Sequence, residues 1–265
     1  MSRKTKPAAA APEDPDGLGR LLTELNLTVA SGRIAELLRN AQEQSQSYSD
    51  FLSVVLKAES AGRFDRKLSR GLKRSQLGTT KSLDEFDFSI RPKLAPAPVK
   101  ELLNCRWVTE GRPILCVGRP GTGKTHVAKA LAHAACMKGH SVLFANTADM
   151  LDELHASLAD STWGRVFRRY ARVDVLIADE LGYLPLDRKK ADYLFRLVSA
   201  RHPERAMIVT ANTGFKSWER FFPSKAQAIA TIDRLMDRAT ILRFTGRTKR
   251  RPEAVHGDAL EEGDE

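Results

Sequence analysis

The segment Gly118-Arg119-Pro120-Gly121-Thr122-Gly123-Lys124-Thr125 (GRPGTGKT) matches the pattern G-x-x-x-x-G-K-[ST]. It follows an apolar run, residues 113–117, that is typical of a buried strand. It precedes a stretch of helical periodicity, residues 125–137. A glycine-rich loop in this position brings backbone N–H groups to phosphate oxygens, and the helix N-terminus adds positive potential. The segment therefore predicts an α/β domain that binds a nucleoside triphosphate.

Two side chains of this loop have distinct expected roles. Lys124 is expected to reach the β- and γ-phosphates of ATP, and the Thr125 hydroxyl is expected to bind Mg²⁺. The residues predicted to contact ATP along the loop are Gly118, Arg119, Pro120, Gly121, Thr122, Gly123, Lys124, Thr125 and His126.

Two adjacent carboxylates end the apolar run VDVLIADE, residues 173–180. Asp179 is placed to orient Mg²⁺, and Glu180 could polarise an attacking water as a general base. A kinase would instead need an acceptor pocket and a mobile lid, for which the sequence offers no candidate. Asn212, after the next strand, is expected beside Asp179 near the γ-phosphate, or else serves as a turn-former. The pattern favours nucleotide hydrolysis.

Five apolar runs, residues 114–117, 142–145, 173–178, 206–210 and 240–244, are separated by mostly helical stretches. Such alternation predicts a mainly parallel five-stranded sheet flanked by helices, with the ligand at the carboxyl ends of the strands. We expect this α/β domain to occupy residues 99–251, with a small all-helical domain before it at residues 17–77.

A cationic run lies within the helical region, at residues 62–76 (GRFDRKLSRGLKRSQ). On a helix its six cations fall within an arc of roughly 120°. They are Arg63, Arg66, Lys67, Arg70, Lys73 and Arg74. Asp65 is the only acid in the run, so i,i+4 pairing is not expected to explain it. A solvated helix face is the alternative, but the cluster and a net charge of +10 favour DNA phosphates as partner.

The remaining segments are expected to lack a core of their own. We expect a disordered leader at residues 1–16 and an acidic disordered tail, with six acids, at residues 252–265. Residues 78–98 are expected to form a proline-containing linker in which Leu83, Phe86 and Phe88 pack against the next domain. No apolar run approaches the roughly 18 residues of a membrane span. The three cysteines are odd in number and form no CxxC pair, which indicates a reducing, cytoplasmic setting.

Two arginines beyond the predicted sheet stand out. Arg234 and Arg238 are expected one helical turn apart, facing solvent or another subunit. The apolar side of their helix is expected to comprise Ile229, Ile232 and Met236. An arginine supplied in trans can stabilise charge on a phosphoryl group. The alternative is simple pairing with Asp233 and Asp237. The last basic run, residues 243–251, could hold a nucleotide-sensing arginine or a nucleic-acid contact.

Five segments in this order resemble an IstB-type ATPase, the helper protein encoded beside the transposase in certain bacterial insertion sequences. They are GRPGTGKTHVAKAL, SVLFANTADML, VDVLIADELGYLPLD, IVTANTGFKSWERFFP and IDRLMDRATIL. The similarity runs from the helical N-terminal region to about Arg250. ELGYLPLD and TAN-x-x-F-x-x-W are more specific than the phosphate-binding loop.

The resemblance implies an AAA+ fold with a helical DNA-binding region, related to helicase loaders of the DnaC type. It implies ATP-dependent assembly of a homo-oligomer on duplex DNA, with ATP at subunit interfaces, and recruitment and stimulation of a cognate transposase. The implied roles are Walker A for Lys124 and Thr125, Walker B for Asp179 and Glu180, sensor 1 for Asn212, arginine finger for Arg234 and sensor 2 for Arg250.

The chain departs from the family pattern at two places. Arg119 stands where a small residue or proline is usual, and Thr248-Lys249-Arg250 replaces a Ser-Tyr-Arg element. Two other functions are alternatives to this one, and the first of them shares every implied catalytic residue. One is a replicative helicase loader, which differs in its partner. The other is an ATP-gated DNA-binding switch with negligible turnover.

Overall fold

The computed structural model of the chain describes residues 17–182, 185–246 and 248, without the side chain of Lys216. The predicted leader, the acidic tail and Arg250 lie outside these residues. The chain divides into two compact units, residues 1–70 and 71–265. No helix within the described residues is both long enough and apolar enough to cross a membrane.

The first unit is helical, as the apolar periodicity predicts. Its helices are α1 (Leu18–Glu24), α2 (Thr28–Glu43) and α3 (Tyr48–Arg74), and the boundary between the units falls within α3, after Arg70. Its buried core contains Ala30, Ile34 and Leu37 of α2 and Val55 of α3.

A buried carboxylate, Glu59 of α3, connects α3 to the start of α2. Its Oε2 accepts hydrogen bonds from the Val29 N–H (2.8 Å) and the Ala30 N–H (3.0 Å). Its Oε1 pairs with Arg63 at 2.9 Å and Arg66 at 3.3 Å. Burial alone would raise the pKa of Glu59, but hydrogen bonds from Ala30, Arg63 and Val29 lower it below its usual value. The prediction that i,i+4 pairing does not explain the cationic run considered only Asp65, within the run. Arg63 does form such a pair, with Glu59, which precedes the run.

The second unit is built on a five-stranded sheet. The strands are β1 (Ile114–Gly118), β2 (Val142–Asn146), β3 (Val175–Leu181), β4 (Ala206–Ala211) and β5 (Thr240–Phe244). They lie in the order β2-β3-β4-β1-β5, and every neighbouring pair is parallel. The predicted parallel sheet is confirmed. Because all strands share one direction, the residues that end β1, β3 and β4 lie along the same edge.

Helices cover both faces of this sheet. They are α4 (Pro96–Glu101), α5 (Arg106–Thr109), α6 (Lys124–Met137), α7 (Thr147–Ala156), α8 (Trp163–Arg172), α9 (Arg188–Arg201) and α10 (Lys225–Met236). Ile114 and Cys116 of β1 contribute to the core that contains α6, while Leu115 and Val117 contribute to the core that contains α7 to α10. This two-sided burial is why the strands read as continuous apolar runs.

The division of the chain differs from the expected one, in which the helical domain ends at residue 77 and a linker follows. Leu77, Leu83, Phe86 and Leu94 are all buried in the α6 core of the second unit. The boundary lies earlier because these apolar side chains, spaced through a polar stretch, bury their surface against the sheet domain. Residues 71–98 thus pack as part of the second unit.

Candidate active site

The predicted phosphate-binding loop connects β1 to the first turn of α6. Two of its positions can hold only glycine. A Cβ on Gly118 would lie 2.0 Å from the Phe244 carbonyl oxygen. Gly123 has φ 91°, and a Cβ there would lie 2.5 Å from the Phe86 ring. The loop backbone is therefore packed closely against Phe244 and Phe86 at these two positions.

Lys124 is the first residue of α6, and its side chain is almost fully buried. Its Nζ donates hydrogen bonds to the carbonyl oxygens of Gly118 (2.8 Å) and Arg119 (2.9 Å). The Thr122 hydroxyl also donates to the Arg119 carbonyl, at 2.7 Å. These contacts hold the ammonium group across the loop, where phosphates bound to the loop N–H groups would lie.

The loop meets β3 through Thr125 and Asp179. Oγ1 of Thr125 lies 2.9 Å from Oδ1 and 3.2 Å from Oδ2 of Asp179, whose side chain is buried. A hydroxyl and a carboxylate are the hard oxygen ligands that Mg²⁺ prefers. No group of three or more His, Cys, Asp or Glu able to hold a metal ion occurs among the described residues. A Mg²⁺ ion at this pair would complete its shell with phosphate and water oxygens, which fits a nucleotide-bound metal.

Glu180 occupies an unusual backbone conformation for a strand residue. Its φ is 59°, in the left-handed region, and the β3–β4 register shifts between Ala178 and Leu181. Such a bulge turns a side chain away from regular alternation and commonly lies next to an active site. The Glu180 carboxylate accepts a hydrogen bond from Asn146 Nδ2 at 3.2 Å. The carboxylate is thereby oriented at the carboxyl edge of the sheet.

Thr210 of β4, which the sequence did not single out as functional, joins the two acidic residues. Its hydroxyl donates to Asp179 Oδ1 at 2.6 Å and accepts from the Glu180 N–H at 2.9 Å. Thr210 is completely buried. The sequence does show a hydroxyl two residues before Asn212. It does not show which residues that hydroxyl contacts, because those contacts depend on the register between β3 and β4.

Asn212 immediately follows β4. Ala211 pairs with Leu181 in the sheet, so Asn212 lies one residue beyond the end of β4, at the edge that also carries Glu180. The residue is half-buried. Its closeness to Asp179 and its contact with a nucleotide stay predictions.

The segment expected to be a linker also contributes to the loop. The buried Arg91 donates from Nε to the Thr122 carbonyl at 2.8 Å. The Phe86 ring lies 5.4 Å from the His126 ring, and His126 Nε2 is 2.9 Å from the Ser82 carbonyl oxygen. These contacts hold the segment against the loop. The expectation that Leu83, Phe86 and Phe88 pack against the following domain is confirmed, whereas the sequence did not predict the contact of Arg91.

Helix α10 buries a different face from the one that the sequence predicts. Its buried residues are Ala228, Thr231 and Leu235, whereas Ile229 is 51% exposed and Met236 is 38% exposed. The expectation of an apolar side at Ile229 and Met236 is wrong because the small residues allow closer packing against the core. The exposed apolar pair remains on the surface of the unit.

The two arginines of this region are placed differently from each other. Arg234 is half-buried, with Nη1 donating to the Ala230 carbonyl at 2.9 Å and its guanidinium 4.9 Å from the Phe195 ring centre. Arg238 lies beyond the end of α10, with φ 52°, and pairs with Asp237 at 3.5 Å. The expectation that both share one helix face is wrong, because α10 ends at Met236.

The sequence and the fold both have known counterparts. Residues 20–256 match the family model described as IstB-like ATP binding protein. The ATP-binding protein of insertion sequence IS21 from Pseudomonas aeruginosa is 34% identical over 230 residues, 87% of this chain and 87% of that protein. The ATP-binding protein of insertion sequence IS5376 from Geobacillus stearothermophilus is 31% identical over 226 residues, 85% of this chain and 90% of that protein.

Among solved structures, the crystal structure of DnaI is similar with a TM-score of 0.55. Its sequence is 20% identical, and the match covers 64% of this chain and 92% of that chain. A likeness at this identity shows the fold alone, and the predicted five-stranded parallel sheet flanked by helices is confirmed.

Proposed function

The chain belongs to the IstB-like ATP binding protein family, and from this premise we propose that it hydrolyses ATP to control its assembly on duplex DNA and the recruitment of a transposase there. One observation carries the proposal. The Thr125 hydroxyl of the phosphate-binding loop contacts the Asp179 carboxylate at 2.9 Å, with Glu180 turned out of the strand alternation directly beside it.

The nucleotide would bind with its phosphates at the loop between β1 and α6. Lys124 would contact the β- and γ-phosphates, and Thr125 and Asp179 would hold Mg²⁺. Bound Mg²⁺ neutralises part of the negative charge that builds on the transferred phosphoryl group. Thr210 keeps the Asp179 carboxylate oriented through the 2.6 Å hydrogen bond.

Glu180 would act as the general base. Its carboxylate accepts a proton as a water oxygen attacks the γ-phosphorus, and the bond from that phosphorus to the leaving oxygen breaks to give ADP and phosphate. Asn146 fixes the orientation of Glu180 through its amide, at 3.2 Å. Asn212, one residue past the edge of β4, would orient the water or the γ-phosphate.

A second subunit would complete the site. The contacts of Arg234 are to Ala230 and Phe195 of its own region, neither of which belongs to the phosphate-binding loop. Its half-exposed guanidinium is available to a neighbour, and the exposed Ile229 and Met236 on the same helix supply apolar surface for contact. An arginine finger supplied in this way couples hydrolysis to assembly.

Duplex DNA would contact the cations of α3. Lys67, Arg70, Lys73 and Arg74 have exposed side chains, with Lys67 and Arg70 in the first unit and the other two in the second. Arg63 and Arg66 share the single carboxylate of the buried Glu59, so the cluster keeps one net positive charge while it also stabilises the helical unit. Phosphate contacts of this kind are independent of base sequence, as a helper that accepts varied target sites requires.

Phosphate release tests the enzymatic part of the proposal. Wild-type protein with ATP, Mg²⁺ and duplex DNA should release phosphate, and Lys124→Ala should not. Phosphate release no faster than in buffer alone, together with DNA binding that still depends on ATP, would indicate an ATP-gated switch and not an ATPase.

Partner capture tests the biological part. Both relatives are named for insertion sequences, which supports a transposase as partner. Protein assembled on immobilised duplex with a non-hydrolysable ATP analogue should retain the transposase encoded beside it. Retention of a hexameric replicative helicase in its place would identify a helicase loader.

A further inference from the structure

Helix α8 carries a cationic surface that lies outside the nucleotide site and outside α3. Its sequence, WGRVFRRYAR, contains four arginines and no acidic residue. The arginines are Arg165, Arg168, Arg169 and Arg172. Their spacing of i, i+3, i+4 and i+7 places them on one face of the helix.

The opposite side of α8 is fixed in the core of the second unit. Val166, Tyr170 and Ala171 are buried, and the Trp163 ring stacks on the Phe167 ring with centres 5.6 Å apart. The helix cannot rotate without exposing this apolar surface, so the arginine face is held toward solvent. All four arginines have exposed side chains.

Most of this positive charge has no carboxylate partner among the described residues. Arg169 pairs with Glu153 of α7, which also accepts the Tyr170 hydroxyl. Arg165, Arg168 and Arg172 form no salt bridge with a described carboxylate. Hydrogen bonds from Thr162 lower the pKa of Asp160, and the nearby charge of Arg165 lowers it further, so Asp160 faces Arg165 without pairing with it. Helix solvation alone does not explain such a face, because exposed arginines on ordinary surface helices usually alternate with acids.

A further arginine lies at the end of α8. Arg205, just before β4, donates from its guanidinium to the Arg172 carbonyl at 2.6 Å and pairs with Asp174 at 3.6 Å. The guanidinium group binds phosphate oxygens with two parallel hydrogen bonds, which makes arginine suited to nucleic-acid backbones.

We infer that the arginine face of α8, formed by Arg165, Arg168 and Arg172, is a second contact surface for the phosphate backbone of duplex DNA. This inference rests on the proposed DNA-binding function and adds a surface on the ATPase unit. Arg165 and Arg172 are seven residues apart, which is about 10 Å along the helix axis. A duplex carries roughly six charges over that length, so each arginine has a phosphate within its range.

A salt titration of DNA binding tests the surface. Affinity of the full chain for a labelled duplex is measured with a non-hydrolysable ATP analogue over a series of salt concentrations. Each phosphate contact contributes about 0.9 to the slope of log K against log salt. The Arg165→Gln, Arg168→Gln, Arg172→Gln triple variant should therefore lower the slope by about 2.7 and weaken binding about tenfold or more at low salt.

Two matched variants separate a local contact from bulk charge. Arg106, Arg188 and Lys189 are exposed cations on other elements, and changing all three to Gln removes the same charge. This control should keep the wild-type slope, and equal thermal midpoints for the two triple variants establish that the fold is intact. Changing the three α8 arginines to Lys preserves the charge and should restore most of the slope.

Two results of the salt titration would overturn the inference. One is a wild-type slope of log K against log salt in the α8 triple variant, and the other is an equal loss of slope in the control triple variant. Unchanged DNA binding with lost transposase capture would assign the face to a protein partner instead. A wild-type chain that binds no duplex would contradict the proposed function itself, and the α8 surface with it. Loss of slope confined to the α8 variant supports the inference.

Discussion

The Thr210 hydroxyl donates a hydrogen bond of 2.6 Å to the Asp179 carboxylate while accepting one from the Glu180 N–H. One buried side chain of β4 therefore positions both acidic residues at the end of β3. This arrangement connects the predicted metal ligand to the predicted general base. Loss of the Thr210 hydroxyl should therefore change both the Mg²⁺ concentration that the protein requires and its rate of ATP turnover.

Thr210→Val removes this hydroxyl with little change in volume. A hydrogen bond to a charged group contributes about 1.5–3 kcal/mol, so ATP turnover should fall by roughly 10- to 100-fold. The Mg²⁺ concentration for half-maximal activity should rise, because the Asp179 carboxylate is no longer held. Steady-state phosphate release across a Mg²⁺ series measures both.

Thr231→Val is the matched control for this change. Thr231 is equally buried and bonds only to the Gln227 carbonyl within α10, at 2.8 Å. It should keep the wild-type Mg²⁺ dependence. The role of Thr210 would be refuted by an unaltered Mg²⁺ dependence in Thr210→Val or by an equal shift in the control.

Glu180→Gln keeps the acceptor that Asn146 contacts but cannot take a proton. ATP should still bind, hydrolysis should fall about 10²- to 10⁴-fold, and complexes on DNA should persist longer. Dissociation from labelled duplex after dilution measures the lifetime, with the exposed Glu204→Gln as control. Faster dissociation than wild type would contradict a link between hydrolysis and release.

Arg234→Ala should bind ATP but hydrolyse it at least about tenfold more slowly. If the arginine acts on a neighbouring site, mixing Arg234→Ala with Glu180→Gln should restore activity. Each Glu180→Gln subunit then supplies its arginine to a neighbour with an intact base. Turnover of the mixture equal to the average of the separate variants would exclude action between subunits.

Glu59→Gln should loosen the helical unit, because the neutral amide loses charge-assisted bonds to Arg63 and to the start of α2. The expected loss is about 1–3 kcal/mol. Hydrogen exchange of the Val29 and Ala30 amides should accelerate in the full chain. Glu36→Gln, which removes an exposed pair with Arg33, should leave that exchange unchanged. Unchanged protection in Glu59→Gln would refute the role.

The same carboxylate gives a pH dependence with a defined sign. Because folding lowers the pKa of Glu59, its contribution is present above the unfolded pKa of about 4.3. The contribution is lost as pH falls through the lower folded value. Wild-type protection of Val29 and Ala30 should therefore decline in acid below about pH 4, and the Glu59→Gln chain should show a weaker decline.

The sequence predicts the sheet and the phosphate-binding loop because both rest on local patterns. Buried parallel strands appear as apolar runs, and the glycines at 118 and 123 follow from steric demands of the loop. Asp179 and Glu180 follow because they end such a run. Their relation to Thr210 does not, since it depends on the strand register and on a bulge at Glu180.

The remaining differences come from tertiary packing. Glu59 pairs with Arg63 on its own helix and with Val29 and Ala30 far away in sequence, so the cationic run alone did not reveal it. Arg91 lies in a proline-containing stretch with no periodicity, yet it packs behind the loop. Apolar periodicity did not predict the buried face of α10, because the small residues Ala228 and Thr231 lie on that face while the larger Ile229 and Met236 are exposed.

The mass of the particles that the protein forms on duplex DNA tests the central claim most directly, that ATP between subunits governs assembly on DNA. Mass measurement of single particles would compare a non-hydrolysable ATP analogue, ADP and no nucleotide, with Lys124→Ala as control. We predict multi-subunit particles with the analogue and duplex, and their absence with ADP or in Lys124→Ala. A chain that remains monomeric in every condition would contradict the account.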